Sequence, residues 1–236
     1  MRIYSVGPRD DVQRLDMDID WRVAILRTMG HGAPWTDPWQ PPKTWRLEKP
    51  RKRGHEELCD WTAIGAAEGL PALSGAAKAL VEQVLGSKAQ WLPLAFDERE
   101  YFLLNCLHFP DVLDTSASSM TLRRDGSVSA IDQYAFRPST VAGEMLFKVS
   151  GAPNSIFVTD QFRSLAEGQG ITGLFYQPVW DSEHAPFKPI PDRHEITKRP
   201  EIYGPEGFVL NVQELWPSEW KDRARQMKRE AVKERA

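Results

Sequence analysis

The chain has 236 residues, of which 41% are hydrophobic and 10% aromatic, and 30 Lys plus Arg stand against 33 Asp plus Glu for a formal charge of −3. That content supports a real core and excludes wholesale disorder, the length suits one medium-sized domain or one with a substantial N-terminal appendage, and the balance shows no global charge excess toward nucleic acid. Charge is nevertheless unevenly spread. Lys43–Arg53 carries +5 and Lys221–Ala236 carries +4, which against the total of −3 leave −12 for the remaining residues. A body of that acidity serves ordinary solubility and also attracts a basic partner. Cys59 and Cys106, the only cysteines, are too few for a disulfide framework and lack CxxC spacing. The opening MRIYSVGPRDDVQRLDMD has no apolar h-region followed by a small-residue cleavage site, so a signal peptide is not expected. No apolar run approaches the roughly 20 residues of a membrane span. The expectation is a reduced, cytoplasmic protein with no membrane association.

In chain order, Arg2–Val6 reads as a short strand closed by Gly7-Pro8, and Trp21–Met29 as a strand or a helical turn. Gly30–Pro50 holds five prolines, counting Pro50, and the tryptophans Trp35, Trp39 and Trp45. Proline at this density favours extended backbone and excludes helix interiors. Such a segment either wraps its tryptophans on the domain's own core or presents them to a partner; the first reading is preferred, because exposed tryptophans promote aggregation. Arg51-Lys52-Arg53 offers phosphate contacts, but no RNA-binding aromatic motif accompanies it, so nucleic acid is not the expected partner. Glu56–Ala67 places Trp61 and Ile64 in apolar surroundings. A helix is expected over about Ala72–Leu85, with Pro71 in its first turn. Its apolar residues Leu73, Ala77, Leu80, Val81, Val84 and Leu85 share one helix face, expected to cover one face of a central sheet, and Gly86 ends it.

Lys88–Phe136 holds the densest apolar runs. Trp91–Phe96 and Tyr101–Leu107 read as buried strands separated by the charged turn Asp97-Glu98-Arg99-Glu100. Met120–Arg123 and Ser127–Phe136 read as a hairpin through Asp125-Gly126, and the whole stretch as an antiparallel meander carrying the core. Glu144–Val149 is a further strand, and Gly151–Asn154 a turn. Ile156–Val158, a helix over about Gln161–Glu167 capped by Thr159 or Asp160, and Ile171–Val179 form a strand–helix–strand unit. Asp181–Pro205 reads as loop, Phe208–Val212 as a last strand, and Trp220, Ala224, Met227 and Ala231 as the narrow stripe of a solvated terminal helix. The fold class expected is α+β, largely antiparallel, with one long and one short packing helix.

Residues able to carry chemistry are scattered. Cys106 and His108 lie two apart on a strand, so a thiol–imidazole pair is geometrically conceivable, but their Leu and Phe neighbours suit an inert buried cysteine. His108, Asp111 and Asp114 match no zinc or calcium loop, and the two aspartates suit turn capping. His184 and His194, ten residues apart, are the best remaining metal pair and are too widely spaced for typical zinc ligation. Ser116, Ser118 and Ser119 lack a nucleophile elbow. Gly168, Gly170 and Gly173 imitate a dinucleotide fingerprint, but they follow a helix and precede a strand, the reverse of what that motif requires. No cofactor is expected. Recognition without chemistry fits this pattern best. An enzyme using Cys106/His108 or a His184/His194 metal site is the alternative, and nucleic-acid binding through Lys43–Arg53 a third reading.

The order of PALSGAAKALVEQVL, WLPLAF, YFLLNCLHFPDVLDTSAS, the Asp125-Gly126 hairpin, EMLFKV and IFVTDQFRSLAEGQGITGLFYQPV resembles a bacterial immunity-protein family, the eleventh of the polymorphic-toxin series, long catalogued as a domain of unknown function. Leu92-Pro93, the stretch from Leu104-Asn105 to Asp114, and Phe157-Val158 through Gly173-Leu174-Phe175 carry most of it. The resemblance spans roughly residues 55–180, with an echo in the opening RIYSV. It implies a protein encoded beside a toxin, which binds that toxin and protects the producing cell; it carries over no catalytic residue. The Pro/Trp-rich segment and the basic terminal helix lie outside the pattern. The division expected is 1–54 as an N-terminal strand with the irregular segment, 55–215 as the immunity-like core and 216–236 as a charged terminal helix. Toxins that attack nucleic acid are often basic, so acidic residues are the expected docking face: Asp97, Glu98, Glu100, Asp111 and Asp114.

Overall fold

The structure, a computed structural model, describes residues 1–9, 12–29, 32–47, 57–65, 67–124 and 128–183. The expected strand at Phe208–Val212, the terminal helix and the turn residues Asp125-Gly126 lie outside the described residues. Two compact units emerge. The first comprises Ile3–Val112 and Arg137–Tyr176, and the second Leu113–Phe136, the chain from Gln177, and Arg2.

The fold is α+β. The first unit is built on two sheets. One, in the order β10-β11-β1-β12, joins Leu146–Val149, Ala152–Thr159, Arg2–Pro8 and Leu174–Asp181, the last strand beginning in the first unit and ending in the second. The other, in the order β3-β2-β4-β5-β7-β6, joins Thr44–Arg46, Leu15–Met17, Trp61–Ile64, Ala67–Ser74, Tyr101–Cys106 and Ala89–Pro93. β1 with β11, β10 with β11, β2 with β3, β4 with β5, β5 with β7 and β6 with β7 pair antiparallel, and β2 with β4 pairs parallel. The edges of the second sheet meet: Thr44 N donates to Ala95 O at 2.8 Å and Ala95 N to Pro42 O at 3.1 Å, around a parallel bridge between Lys43 and Ala95. Closure of this kind removes exposed sheet edges.

Side-chain alternation on β7 explains why its sequence is a continuous apolar run. Tyr101 and Leu103 point to one cluster, and Leu104 and Cys106 to another, so the strand is buried on both faces. The first of these clusters gathers Leu15, Met17, Ile64, Leu70, Ala72, Leu92 and Leu94 from around the closed sheet, with Ile25 and Met29 of α1 (Ile19–Met29). Residues from five of the sheet's strands meet there, which makes it the inner side of the closure. The other cluster lies between the sheets. Tyr4, Val6, Ile156 and Val158 meet Trp61, Leu73 and Leu104, with Ala77, Leu80, Val81 and Leu85 of α2 (Gly75–Leu85) and Phe162 and Ala166 of α4 (Asp160–Gly168).

Most expected elements are present with small boundary shifts; three corrections stand out. The long helix starts at Gly75, not Ala72. Leu73 and Pro71 belong to β5, which pairs with β4 on one side and β7 on the other, and Pro71 sits next to a ladder irregularity where its missing N–H costs little. Ser74 then caps α2 by accepting from Ala77 N at 3.4 Å. Secondly, Lys88–Phe136 is not one meander: β6 and β7 lie in the closed sheet, whereas β8 (Ser119–Leu122) and β9 (Val128–Gln133) form a separate ribbon in the second unit. Thirdly, Trp21–Met29 is helical, so the fold has more helix than one long and one short element, including a four-residue α3 (Pro138–Val141). The Pro/Trp-rich segment packs on its own domain through Trp35 and Trp39. These two rings contact each other and Trp21 with centroids 5.3–6.1 Å apart, and Trp39 Nε1 donates to Pro93 O at 2.8 Å. Gln90 pairs with both Trp35 N and Trp35 O at 2.8 Å.

The glycines after α4 have a structural use. Gly173 has φ +90°, and a Cβ there would stand 2.3 Å from Trp61 O. Gly173→Ala is therefore expected to lower unfolding free energy by about 2–4 kcal/mol. Gly168→Ala, on a helix with open space at that position, is expected to leave it unchanged or raise it by up to about 1 kcal/mol. Urea titration of both variants checks the contrast.

Candidate functional site

The charged turn between β6 and β7 is exposed at Asp97, Glu98 and Glu100, and its four charges have different fates. Arg99 turns inward, its guanidinium pairing with Asp60 and reaching Leu58 O at 3.4 Å. Glu98 is held by Arg46, with Nε at 2.8 Å from Oε1, and that guanidinium keeps the carboxyl below its ordinary range. Among the described residues no cation pairs with Asp97 or Glu100. Of the other expected docking residues, Asp111 pairs with Arg137 at 2.6 Å while its side chain stays 93% exposed. Asp114, in the second unit, caps its own turn by accepting from Ser116 N at 3.0 Å, Ser116 Oγ at 2.6 Å and Ala117 N at 3.1 Å. The structure thus brings Asp97, Glu98 and Glu100 together in one turn and gives Asp114 the capping role its residue type suggests.

Asp60 anchors that turn from behind. Its carboxylate accepts from Ser74 Oγ at 2.7 Å, Thr172 Oγ1 at 2.7 Å and Thr172 N at 3.0 Å, besides Arg99. Partial burial pushes its pKa up, but the hydrogen bonds from Thr172 and Ser74 and the Arg99 charge outweigh that, and the net shift is downward.

Of the two alternative chemical centres, only Cys106 and His108 lie among the described residues. Cys106 is fully buried between the sheets, and burial pushes its thiol pKa up, away from the reactive thiolate. The His108 ring engages Glu144, with Nε2 at 2.5 Å from Oε2, and Lys88 Nζ lies 3.5 Å from the same nitrogen. His184 and His194 lie outside the described residues. Among the described residues no three His, Cys, Asp or Glu side chains are grouped to hold a metal. A residue that sequence reasoning missed is Lys148 on β10. Its side chain is 0% exposed and its Nζ has no hydrogen-bond partner, so burial pushes its pKa down. The only sequence signal is a lysine inside the apolar run Leu146–Val149, which also reads as an exposed position on an alternating strand.

The half-buried Asp60 and the buried Lys148 each give a signed pH dependence. Asp60 has a depressed folded-state pKa, so its contribution is complete above the ordinary carboxylate value and is lost as pH falls through the folded value. Wild type is expected to exceed Asp60→Asn by about 1–3 kcal/mol at pH 7, with the gap closing toward pH 2.5, as read by thermal melts across that range. For Lys148, the folded state binds its proton less readily than the unfolded chain, so the cost of the amine appears as pH falls through the ordinary lysine range. Lys148→Met is expected to stabilise by about 1–2 kcal/mol at pH 7, with the gain shrinking toward pH 10.5 in the same assay.

No helix among the described residues is long and apolar enough to cross a membrane. A search of curated proteins finds no match. The family described as "Immunity protein family (Imm11)" matches residues 13–181, which takes in β2 to β12, the whole six-stranded sheet, the four-stranded sheet apart from β1, and the charged turn. The chain belongs to the Imm11 immunity protein family.

Proposed function

We propose that the chain protects the cell that makes it by binding a cognate toxin protein, encoded by a neighbouring gene, and occluding the toxin's active site in the cytoplasm. The observation that carries this reading is the family match across residues 13–181. The protein acts by recognition rather than catalysis. In support, the one thiol–imidazole pair visible in the sequence is split between an apolar core and a Glu144 contact. A complex tight enough to neutralise a toxin buries on the order of 1,200 Å² or more in total. Acidic residues of the first unit supply the docking face, centred on Asp97, Glu98 and Glu100, with Asp111 as a further contact; Asp114, in the second unit, is a separate candidate. Surface charge of this kind speeds encounter with a basic partner more than it tightens the final complex.

The test is co-expression, in a bacterial host, of the chain with the toxin domain encoded beside it. Rescue of growth with co-purification of the two proteins is the expected result; rescue without a complex points instead to an enzyme that reverses the damage. In the purified pair, reversing the charges of Asp97, Glu98 and Glu100 together is expected to slow association about tenfold or more and to flatten its salt dependence. Unchanged kinetics remove that face from the interface.

A further inference from the structure

The seam that closes the six-stranded sheet leaves an aromatic side chain in the open. Thr44 of β3 is buried, whereas the Trp45 side chain beside it is 40% exposed. The parallel Lys43–Ala95 bridge lies at the seam, two residues before Trp45 on one stretch and two before Asp97 on the other. One residue beyond, Arg46 and Glu98 are joined by their ion pair, so the two stretches keep company past the bridge. Glu98 is thereby neutralised, whereas among the described residues Asp97 meets no cation and none stands over the Trp45 ring.

Elsewhere the first unit repeatedly completes the same trio of aromatic ring, cation and carboxylate. Arg163 lies 5.3 Å from the ring centroids of both Tyr4 and Tyr176 and bonds Glu167 at 2.8 Å. Lys78 lies 5.5 Å from Trp91 and bonds Glu82 at 3.0 Å. Arg99 lies 5.7 Å from Tyr101 and pairs with Asp60. In each, the ring's negative face and the carboxylate act on one cation.

We infer that Trp45 and Asp97 form the anchor of the toxin interface and receive an arginine side chain from the toxin, its guanidinium stacked on the indole and bonded to the carboxylate. The inference rests on the immunity reading and names the contact surface within it. Arginine fits better than lysine because its planar fork stacks and pairs at once. The surface is complementary in charge to such a group. Tryptophan is also among the residues enriched at binding hot spots.

The experiment measures the affinity of the purified full chain for the toxin domain encoded by the adjacent gene. Trp45→Ala is expected to weaken binding about 30-fold, with Trp45→Phe intermediate, and Asp97→Lys to weaken it about tenfold. Asp37→Lys, the same charge change at an exposed site elsewhere, is expected to stay within twofold of wild type. Trp45 is on the surface, so melting curves near wild type should accompany each variant. Affinities within twofold of wild type for both Trp45→Ala and Asp97→Lys overturn the anchor while leaving the immunity reading intact. A wild-type chain that neither binds nor protects overturns both. Loss of self-association, or of binding to a single-stranded oligonucleotide, in Trp45→Ala with toxin affinity unchanged assigns the ring to a different occupant and overturns the anchor as well.

Discussion

The Asp60 carboxylate accepts from Ser74, Thr172 and Arg99, and so ties together stretches of chain as much as 112 residues apart. Each bond fixes an element boundary. Ser74 ends β5 and caps α2, and Ser74 N also donates to Asp60 O at 2.9 Å. Thr172 stands just before β12, and Trp61 N donates to its carbonyl at 3.0 Å. Arg99 is the one inward-pointing residue of the charged turn. A carboxylate meeting this many donors is strongly biased toward ionisation, and ion pairs with fixed geometry hold position more than they add stability. Asp60 therefore acts mainly as a register mark. It sets where the strand stops and the helix starts, and where the chain returns from α4.

The close approach at Gly173 belongs to the same arrangement. Bringing the residue 172–173 backbone onto β4 requires a residue with positive φ and no Cβ facing Trp61 O. This also explains the glycine run that imitates a nucleotide-binding fingerprint. Gly170 and Gly173 have positive φ because the chain leaves a helix and turns tightly into a strand, not because backbone amides gather around a phosphate. The spacing of a motif carried no chemistry here; the order of helix and strand around it decided its meaning.

What the sequence made legible follows from how many physical signals coincided. For β7 and α4, apolar pattern and turn residues agreed, and these elements stand where expected, whereas β6 begins and ends earlier than its apolar run and β11 takes in Ala152–Asn154, which read as a turn. For β5 they conflicted, because the helical spacing of Ala77 to Leu85 extends backward to Leu73. Leu73 joins the same cluster as α2, but does so from a strand, and Ser74 as a cap was the better boundary mark. For α1 the apolar residues split between the buried Ile25 and Met29 and the exposed Ile19, Val23 and Leu26, which blurs any single stripe. Sheet closure was invisible, since the Lys43–Ala95 bridge links residues whose neighbours give no pairing signal. The charged turn could be located from sequence. Its internal pairings could not, because Arg46 lies 52 residues before Glu98 and Asp60 lies 39 before Arg99.

Those pairings change what an acidic surface means in this protein. Net charge counts Glu98, Arg99 and Asp60 alike, but a carboxylate already bonded to a guanidinium offers a partner little that is not spent within the fold. Only unpaired groups beside a surface that can exclude water gain strongly on complex formation. On the anchor inferred above, Asp97 and Trp45 meet both conditions, whereas Asp111, 93% exposed and shared with Arg137, meets neither. A recognition surface on this protein is therefore better located by subtracting the internal ion pairs first and then asking which remaining charges adjoin exposed aromatic area. On the proposed reading, the diffuse acidity of the body sets how fast a basic partner arrives, and the few groups left after that subtraction set where it stays.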